Sequence, residues 1–393
     1  MKWYNDSSRK YDWPWQNIIE KDMFIDKIDW PLISIVTPNY NGGNYLEEAI
    51  RSVILQSYPN LQYLIIDGGS NDNSIEIIEK YSKYIDYWES NEDSGPAEAI
   101  NKGMKKAKGE IVSWLNSDDL LSSTSLYNIA ATFCKNKNID LIYGTGFYFD
   151  DKGYYWLSKK NYDEFDARSI THFAFDLQPS IFFRKSIFAH IGYLDESFPL
   201  QFDTELFIRA SLNHEMLKIP YYLSFFRQHN RRLTKIKNAE MKYPEELVRI
   251  YSRVLCSLES KNDVQEYINI AKDLDLFIDE QIRYPINKVF DQTLIKRSFY
   301  IYLIKCCINF YEKNNLKELR NILSVLKHNF KDFYSRDFEA KRIDKMSQFI
   351  WAQKLVPRRI RKRIQNTRYR YWLNRNDLYV ENYQNYVNLK EKL

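Results

Sequence analysis

Cysteine is scarce in this 393-residue chain. The four present, Cys134, Cys256, Cys306 and Cys307, are too few and too irregularly spaced for a disulfide framework or a zinc site. Cys306 and Cys307 sit together in an apolar run and read as packed thiols, so a reducing cytosol is the expected compartment. Long hydrophobic runs are absent too. The most apolar stretch, Phe299 to Phe310, is interrupted by Lys305 and is too short for a membrane span. The opening residues, MKWYNDSSRKYDWPWQ, lack the apolar segment that a secretion signal requires. No internal repeat or low-complexity tract occurs. Nothing resembles the Gly-rich basic phosphate loop of nucleotidyl transfer enzymes, and no nucleic-acid recognition motif is found.

What is present describes a soluble globular protein, with 44% hydrophobic residues and a mean hydropathy of −0.55. Aromatics reach 16%, with 31 Tyr, which suits surfaces that stack on sugars or sit at membrane interfaces. An AT-rich coding bias would raise Tyr together with Asn, Lys and Ile, and is the plainer account. Charge is divided unevenly. Residues 231–393 hold 34 Lys+Arg against 20 Asp+Glu, a balance of +14. Of the chain's 57 and 52, that leaves 23 against 32, or −9, for residues 1–230. An acidic half suits metal and hydroxyl chemistry, and a basic half suits an anionic surface.

Regular patterning begins at residue 31. Leu32 to Thr37 is a short β-branched run stopped by Pro38, the signature of a buried strand. Tyr45 to Ser57 spaces its apolar residues helically, and Tyr58-Pro59 closes it. Leu61 to Ile66 is the next strand, with Asp67 at its carboxyl end. A helix over Ser74 to Tyr84, a strand over Ile85 to Glu89 and a helix over Pro96 to Ala107 follow. Ile111 to Leu115 then leads directly into Asn116-Ser117-Asp118-Asp119. This alternation predicts an α/β fold, a mostly parallel sheet with helices on both faces. Ligands of such sheets sit beyond the strands' carboxyl ends, where Pro38, Asp67, Asp93 and Asp118 all fall. Mixed segments follow residue 140: strands over Leu141 to Phe149 and Ser180 to Phe183, and a helix over Thr204 to Leu212. From about residue 240 the spacing is helical. The expected organisation is an aromatic-rich extension over 1–30, a catalytic domain over 31–235 and a mainly helical region over 236–393.

Two clusters carry chemistry. Asp67-Gly68-Gly69-Ser70 is a carboxylate followed by pliant backbone, suited to accept from a base edge while a ligand comes close, or simply an Asp-Gly turn. Acids crowded at a strand end, as in Asn116-Ser117-Asp118-Asp119, call for a compensating cation or hydroxyls. A Mg²⁺ or Mn²⁺ ion bridging two phosphates would neutralise them. Alternatively, Asp118 or Asp119 caps a helix over Ser122 to Phe133.

These residues also resemble a family. The stretch PLISIVTPNYNGGNYLEEAIRSVILQSYPNLQYLIIDGGSNDNSIEIIEKY (31–81) is similar to the opening of family 2 glycosyltransferases, which have the GT-A fold. EDSGPAEAINKGMKKAKGEIVSWLNSDD (92–119) resembles their donor segment and DxD-type motif. LQPSIFFRKSIFAHIGYLDESFPLQFDTELFIRA (177–210) with FRQH (226–229) resembles their acceptor half. The resemblance spans about residues 31–235 in order. It implies that Pro38, Tyr40 and Asp67 hold the nucleotide base, and that Glu92, Asp93 and Lys102 line the donor. Asp118 matches the second acid of the DxD motif, with Ser117 before it and Asp119 beside it. The first acid is replaced by Asn116, able to hydrogen-bond a ribose but adding no charge. Asp203 matches the general base, with Glu205 its rival, and would also cap a helix starting at Thr204. His229 matches a histidine that reaches the metal or diphosphate in some relatives, and it reads equally as an ordinary core or surface histidine. Arg231 and Arg232 follow where relatives often have a small turn; they would either assist the leaving group or be solvated.

The implied activity is inverting transfer from a nucleotide sugar, UDP-linked foremost, to a glycan or lipid-linked hydroxyl, with Mn²⁺ or Mg²⁺, in surface polysaccharide biosynthesis. The rival is a catalytically silent scaffold that binds nucleotide sugar or glycan. Val356 to Arg375 packs basic residues around Ile360, Ile364, Tyr369, Tyr371 and Trp372, which suits an anionic inner leaflet, a solvated helix or a dimer contact.

Overall fold

The computed structural model describes residues 29–151, 155–157, 177–233, 239–258, 264–286 and 292–337, with a few single positions besides. Strand β1 (Ile33–Asn39) is buried along its whole length, as a strand inside a parallel sheet with both faces covered must be. Helix α1 (Leu46–Ile54) leads to β2 (Leu61–Asp67), α2 (Ser74–Tyr81) to β3 (Tyr87–Ser90), and α3 (Pro96–Lys106) to β4 (Ile111–Trp114). These strands pair in parallel in the order β4-β1-β2-β3. The alternation expected over residues 31–119 is therefore what forms, with ends shifted by a few residues. Close approach of α3 to β1 depends on Gly103, where a β-carbon would overlap the Val36 side chain. Gly103→Ala gains about 1 kcal/mol of helix propensity but forces an overlap of the kind that costs about 1–3 kcal/mol. A net loss is expected, read as a lower urea midpoint at unchanged slope.

Beyond β4 the sheet becomes mixed. β5 (Leu120–Leu121), α4 (Ser125–Lys135), β6 (Leu141–Asp150), β7 (Tyr155–Leu157), β8 (Ile181–Arg184), α5 (Phe188–Ile191), α6 (Phe202–Ser211) and β9 (Met216–Gln228) follow. β8 joins β4 antiparallel and β6 joins β8 antiparallel, while β9 runs parallel to β6 and antiparallel to β5. Without a helical crossover before each strand, nothing enforces parallel pairing here.

Two apolar layers cover the sheet. One holds Ile33, Ile35, Tyr63 and Ile65 beneath the side chains of α1, α2 and α4. The other starts from Val36, Leu64, Trp114 and Phe183, passes through α3 and α6, and continues without a break into the C-terminal helices. Those are α7 (Ala239–Leu258), α8 (Gln265–Asp273), α9 (Gln292–Glu312), α10 (Leu316–Asn329) and α11 (Lys331–Arg336). Cys306 and Cys307 are buried in this layer without a disulfide, and burial pushes Cys306 up to about 12. Among the described residues, no helix is long and apolar enough to cross a membrane. The basic segment 356–375, most of 1–30 and residues 158–176 lie outside the described residues.

Candidate active site

Three parallel strands end in one row. Asn39 of β1 is in register with Asp67 of β2, and Asp67 with Ser90 of β3. This row closes on itself. The Asp67 carboxylate accepts from Asn39 Nδ2 at 2.6 Å, Ser90 Oγ at 2.6 Å, Ser70 Oγ at 2.5 Å, Ser70 N at 2.9 Å and Gly69 N at 3.1 Å. These donors hold its carboxyl below the usual carboxylate range even though burial works against them. Asp67 is 0% exposed. The carboxylate, expected to face a base edge, here clasps the ends of the strands. Pro38 is buried beside it, whereas Tyr40 is 67% exposed at the rim.

The donor-segment residues lie next to this clasp. Asp93 accepts from Gly95 N at 2.9 Å and packs over Gly68. Burial raises its carboxyl, and the nearby Asp67 adds to that. Lys102 is engaged one helical turn back by Glu98 at 2.8 Å. Glu92 is exposed, beside Gly69.

The four residues after Leu115 split into two roles. Asp119 is buried, with Oδ1 accepting the Arg227 backbone N–H at 2.9 Å and Oδ2 accepting from Asn116 Nδ2 at 3.3 Å. Burial, with Asp118 alongside, pushes its carboxyl well up. Both of its oxygens, expected to serve a metal, are thus taken up by protein donors next to the β5–β9 pairing. The Asn116 amide, expected to reach a ribose, also donates to Gln178 Oε1 at 3.3 Å. Asp118 stays at the surface. Its side chain is 29% exposed, and Oδ2 lies 2.9 Å from His229 Nε2.

Arg227 builds this arrangement, and its role was not read from the sequence. Its guanidinium lies between the rings of Tyr45 and Phe149, at 4.6 and 4.3 Å from their centroids. It donates to the Asp118 carbonyl at 2.9 Å, pairs with Glu48, and meets Asp151 at 3.4 Å. Tyr45 packs in turn on the His229 ring at 4.8 Å. An arginine directly after Phe225 and Phe226, near the end of β9, was the available signal. Arg232 donates to the His229 carbonyl at 3.2 Å, while burial pulls its guanidinium down against the charges of Asp118 and Asp119. Arg231 is exposed.

Asp118 and His229 are neighbouring donors, the His229 side chain 7% exposed. Among the described residues, no group of three or more His, Cys, Asp or Glu could hold a metal ion. An acid and a histidine side by side still suit Mg²⁺ or Mn²⁺, which are often held by one or two protein ligands and completed by substrate phosphates.

Asp203 lies in the first turn of α6, which begins at Phe202 with Gln201 as its N-cap. Asp203 is therefore inside the helix and not its cap. Its Oδ1 accepts from Thr204 N at 2.6 Å. Burial outweighs that bond and the helix end, and pushes the carboxyl up to about 6. Glu205, the rival base, is 1% exposed and held by Arg209 through bonds of 2.8 and 2.6 Å. Both of its oxygens are thereby occupied by one guanidinium. One turn after Asp203, on the same helix face, Phe207 stacks on Trp114 at 5.9 Å. That ties α6 to the end of β4, two residues before Asn116.

Residues 34–192 match Glycosyl transferase family 2. The chain is 34% identical to an uncharacterized glycosyltransferase of Rickettsia typhi over 205 residues, 48% of this chain and 63% of that protein. TuaG of Bacillus subtilis, assigned by name to teichuronic acid biosynthesis, is 39% identical over 94 residues, 23% of this chain and 36% of that protein. The chain thus spans less than two thirds of these relatives. TarS of Staphylococcus aureus, solved with UDP-GlcNAc, superposes with a TM-score of 0.52 at 16% identity, over 76% of this chain and 92% of that one. The mannosyltransferase PcManGT of Pyrobaculum calidifontis, solved with GDP-Man and Mn²⁺, gives 0.50 at 13%, over 86% and 88%. Residues 34–192 are thus similar to the family 2 glycosyltransferases, and the chain shares its fold with TarS.

Proposed function

We propose that this glycosyltransferase moves a sugar from a nucleotide-sugar donor to a hydroxyl of a glycan or lipid-linked acceptor, with inversion, in surface polysaccharide biosynthesis. The observation that carries the reading is the contrast between two carboxyl groups. Asp118 is partly exposed beside His229, while Asp203 sits in the first turn of α6 with its carboxyl pushed up to about 6. A partly exposed acid beside a histidine suits holding an ion, and an acid whose carboxyl is raised suits accepting a proton. Asp203 accepts the proton of the attacking hydroxyl. Asp118 and His229 hold a divalent ion, which when bound stabilises the departing diphosphate. Arg232, half-buried near Asp118, adds positive charge on that side. Asp67, Asn39 and Ser90 keep the floor of the donor side rigid, and Tyr40 and Asp93 flank it. The ligands of TarS and PcManGT support a UDP- or GDP-linked donor, and the name of TuaG supports a polysaccharide product.

The test is binding and slow hydrolysis of UDP-, GDP-, dTDP- and CMP-sugars, with and without Mn²⁺. One class is expected to bind and be hydrolysed with Mn²⁺. In Asp118→Ala the Mn²⁺-dependent part of nucleotide binding should weaken about tenfold or more, as losing a metal ligand requires. Binding of a sugar nucleotide with no hydrolysis under any condition would favour the silent scaffold instead.

A further inference from the structure

The segment from Leu194 to Gln201 joins α5 to α6 without regular structure of its own, yet it is gripped from two sides. From the donor side, Asn101 of α3 accepts from Leu194 N at 3.0 Å and donates to Leu194 O at 3.0 Å and to Glu196 at 2.8 Å. From the other side comes one face of α7, through Glu246, Arg249 and Arg253, at spacings of three and four residues. Arg253 pairs with Asp195 at 2.8 Å and with Asp279 at 2.8 Å. Arg249 donates to Ser197 O at 3.3 Å, and both guanidinium groups cover the buried ring of Phe198 at 4.5 and 4.9 Å. A single oxygen of Glu246, Oε2, accepts from Leu200 N at 3.0 Å and Gln201 N at 2.8 Å.

Gln201 caps α6 through its carbonyl, which accepts from Glu205 N at 2.8 Å, and no side chain caps this helix. The first turn of α6 therefore takes its orientation from the segment before it, and Glu246 is the group that fixes the end of that segment. We propose that Glu246 is a positioning residue for the Asp203 carboxyl, and that the C-terminal helices are thereby a working part of the acceptor side of the site. This rests on reading Asp203 as the base. Displacement of a reacting group by about 1 Å costs up to about 100-fold in rate, so the contact acts on turnover and leaves donor affinity alone.

The geometry makes a specific demand: one oxygen at the right reach, charged or not. Glu246→Gln supplies that oxygen, whereas Glu246→Asp keeps the charge and loses the reach. The full chain is assayed with the sugar nucleotide found above, water serving as acceptor. Glu246→Asp is expected to lower kcat about 10- to 100-fold with the donor KM unchanged, and Glu246→Gln to stay near the parent. Amide hydrogen exchange, which needs no ligand, should quicken over residues 194–205 in Glu246→Asp and stay unchanged in β1 and β2. Full activity in Asp203→Asn would remove the base assignment whatever Glu246 does. If Asp203→Asn is inactive while Glu246→Asp matches the parent in kcat and exchange, the positioning role alone is overturned. A rise in donor KM matching the loss in kcat overturns it as well, as does Glu246→Gln failing as badly as Glu246→Asp. Should no sugar nucleotide turn over, unchanged exchange at 194–205 decides against it.

Discussion

Asp203→Asn is expected to lower sugar transfer about 10²- to 10⁴-fold, the usual contribution of a positioned general base, while nucleotide binding persists. Asn keeps the size and the hydrogen bond from Thr204 N but cannot take a proton. The parent rate should fall tenfold per pH unit below about 6, where the Asp203 carboxyl takes up its proton. The residual rate of the variant should lack that limb. Stability moves the other way. A carboxyl raised from 3.8 to about 6 in the folded protein binds its proton more tightly there than in the unfolded chain. Folding is then penalised progressively as pH rises from about 4 to about 6, and fully above that. Asn carries no such penalty, so the variant should melt higher than the parent at pH 7.5 and no higher at pH 4. Wild-type transfer in Asp203→Asn would end the assignment, and Glu205 would not inherit it, since Arg209 already holds that carboxylate.

Arg227→Ala carries the largest expected loss of stability. The change leaves a void between Tyr45 and Phe149 and removes the guanidinium that Glu48, Asp151 and the Asp118 carbonyl share. Breaking a buried charge pair from one side costs about 3–5 kcal/mol. Mn²⁺-dependent nucleotide binding should fall with it, because Arg227 fixes the backbone of Asp118 and lies two residues from His229. Arg227→Lys keeps the charge but not the planar fork and should land between the two. Chemical denaturation followed by nucleotide titration in the presence of Mn²⁺ reads both effects. An Arg227→Ala protein as stable as the parent would mean that water replaces the guanidinium at little cost.

Much of the donor half could be read from the order of residues. Buried parallel strands are short β-branched runs, their connecting helices repeat every three or four residues, and ligand residues follow the strand ends. Those rules placed Asp67, Asp93 and Asp118 where the structure has them. They could not say which way each carboxylate faces. Asp67 and Asp119 turn inward because of partners distant in the chain, Asn39 and Ser90 for one, the Arg227 backbone for the other. Nor does spacing show that β9 returns beside β6 and β5, which is what brings Arg227 and His229 to Asp118.

The sequence by itself determined the class of fold, the family that residues 34–192 resemble, the order of the elements and the short set of acids from which a site could be built. Those follow from local periodicity and from residue types at strand ends. Only the tertiary structure decided which acid meets a histidine, which is clasped by the strand ends and which is turned into the sheet, and that α7 grips the approach to α6. Protonation and hydrogen bonding answer to neighbours in space, and pairing across a hundred residues leaves no periodic trace in the chain.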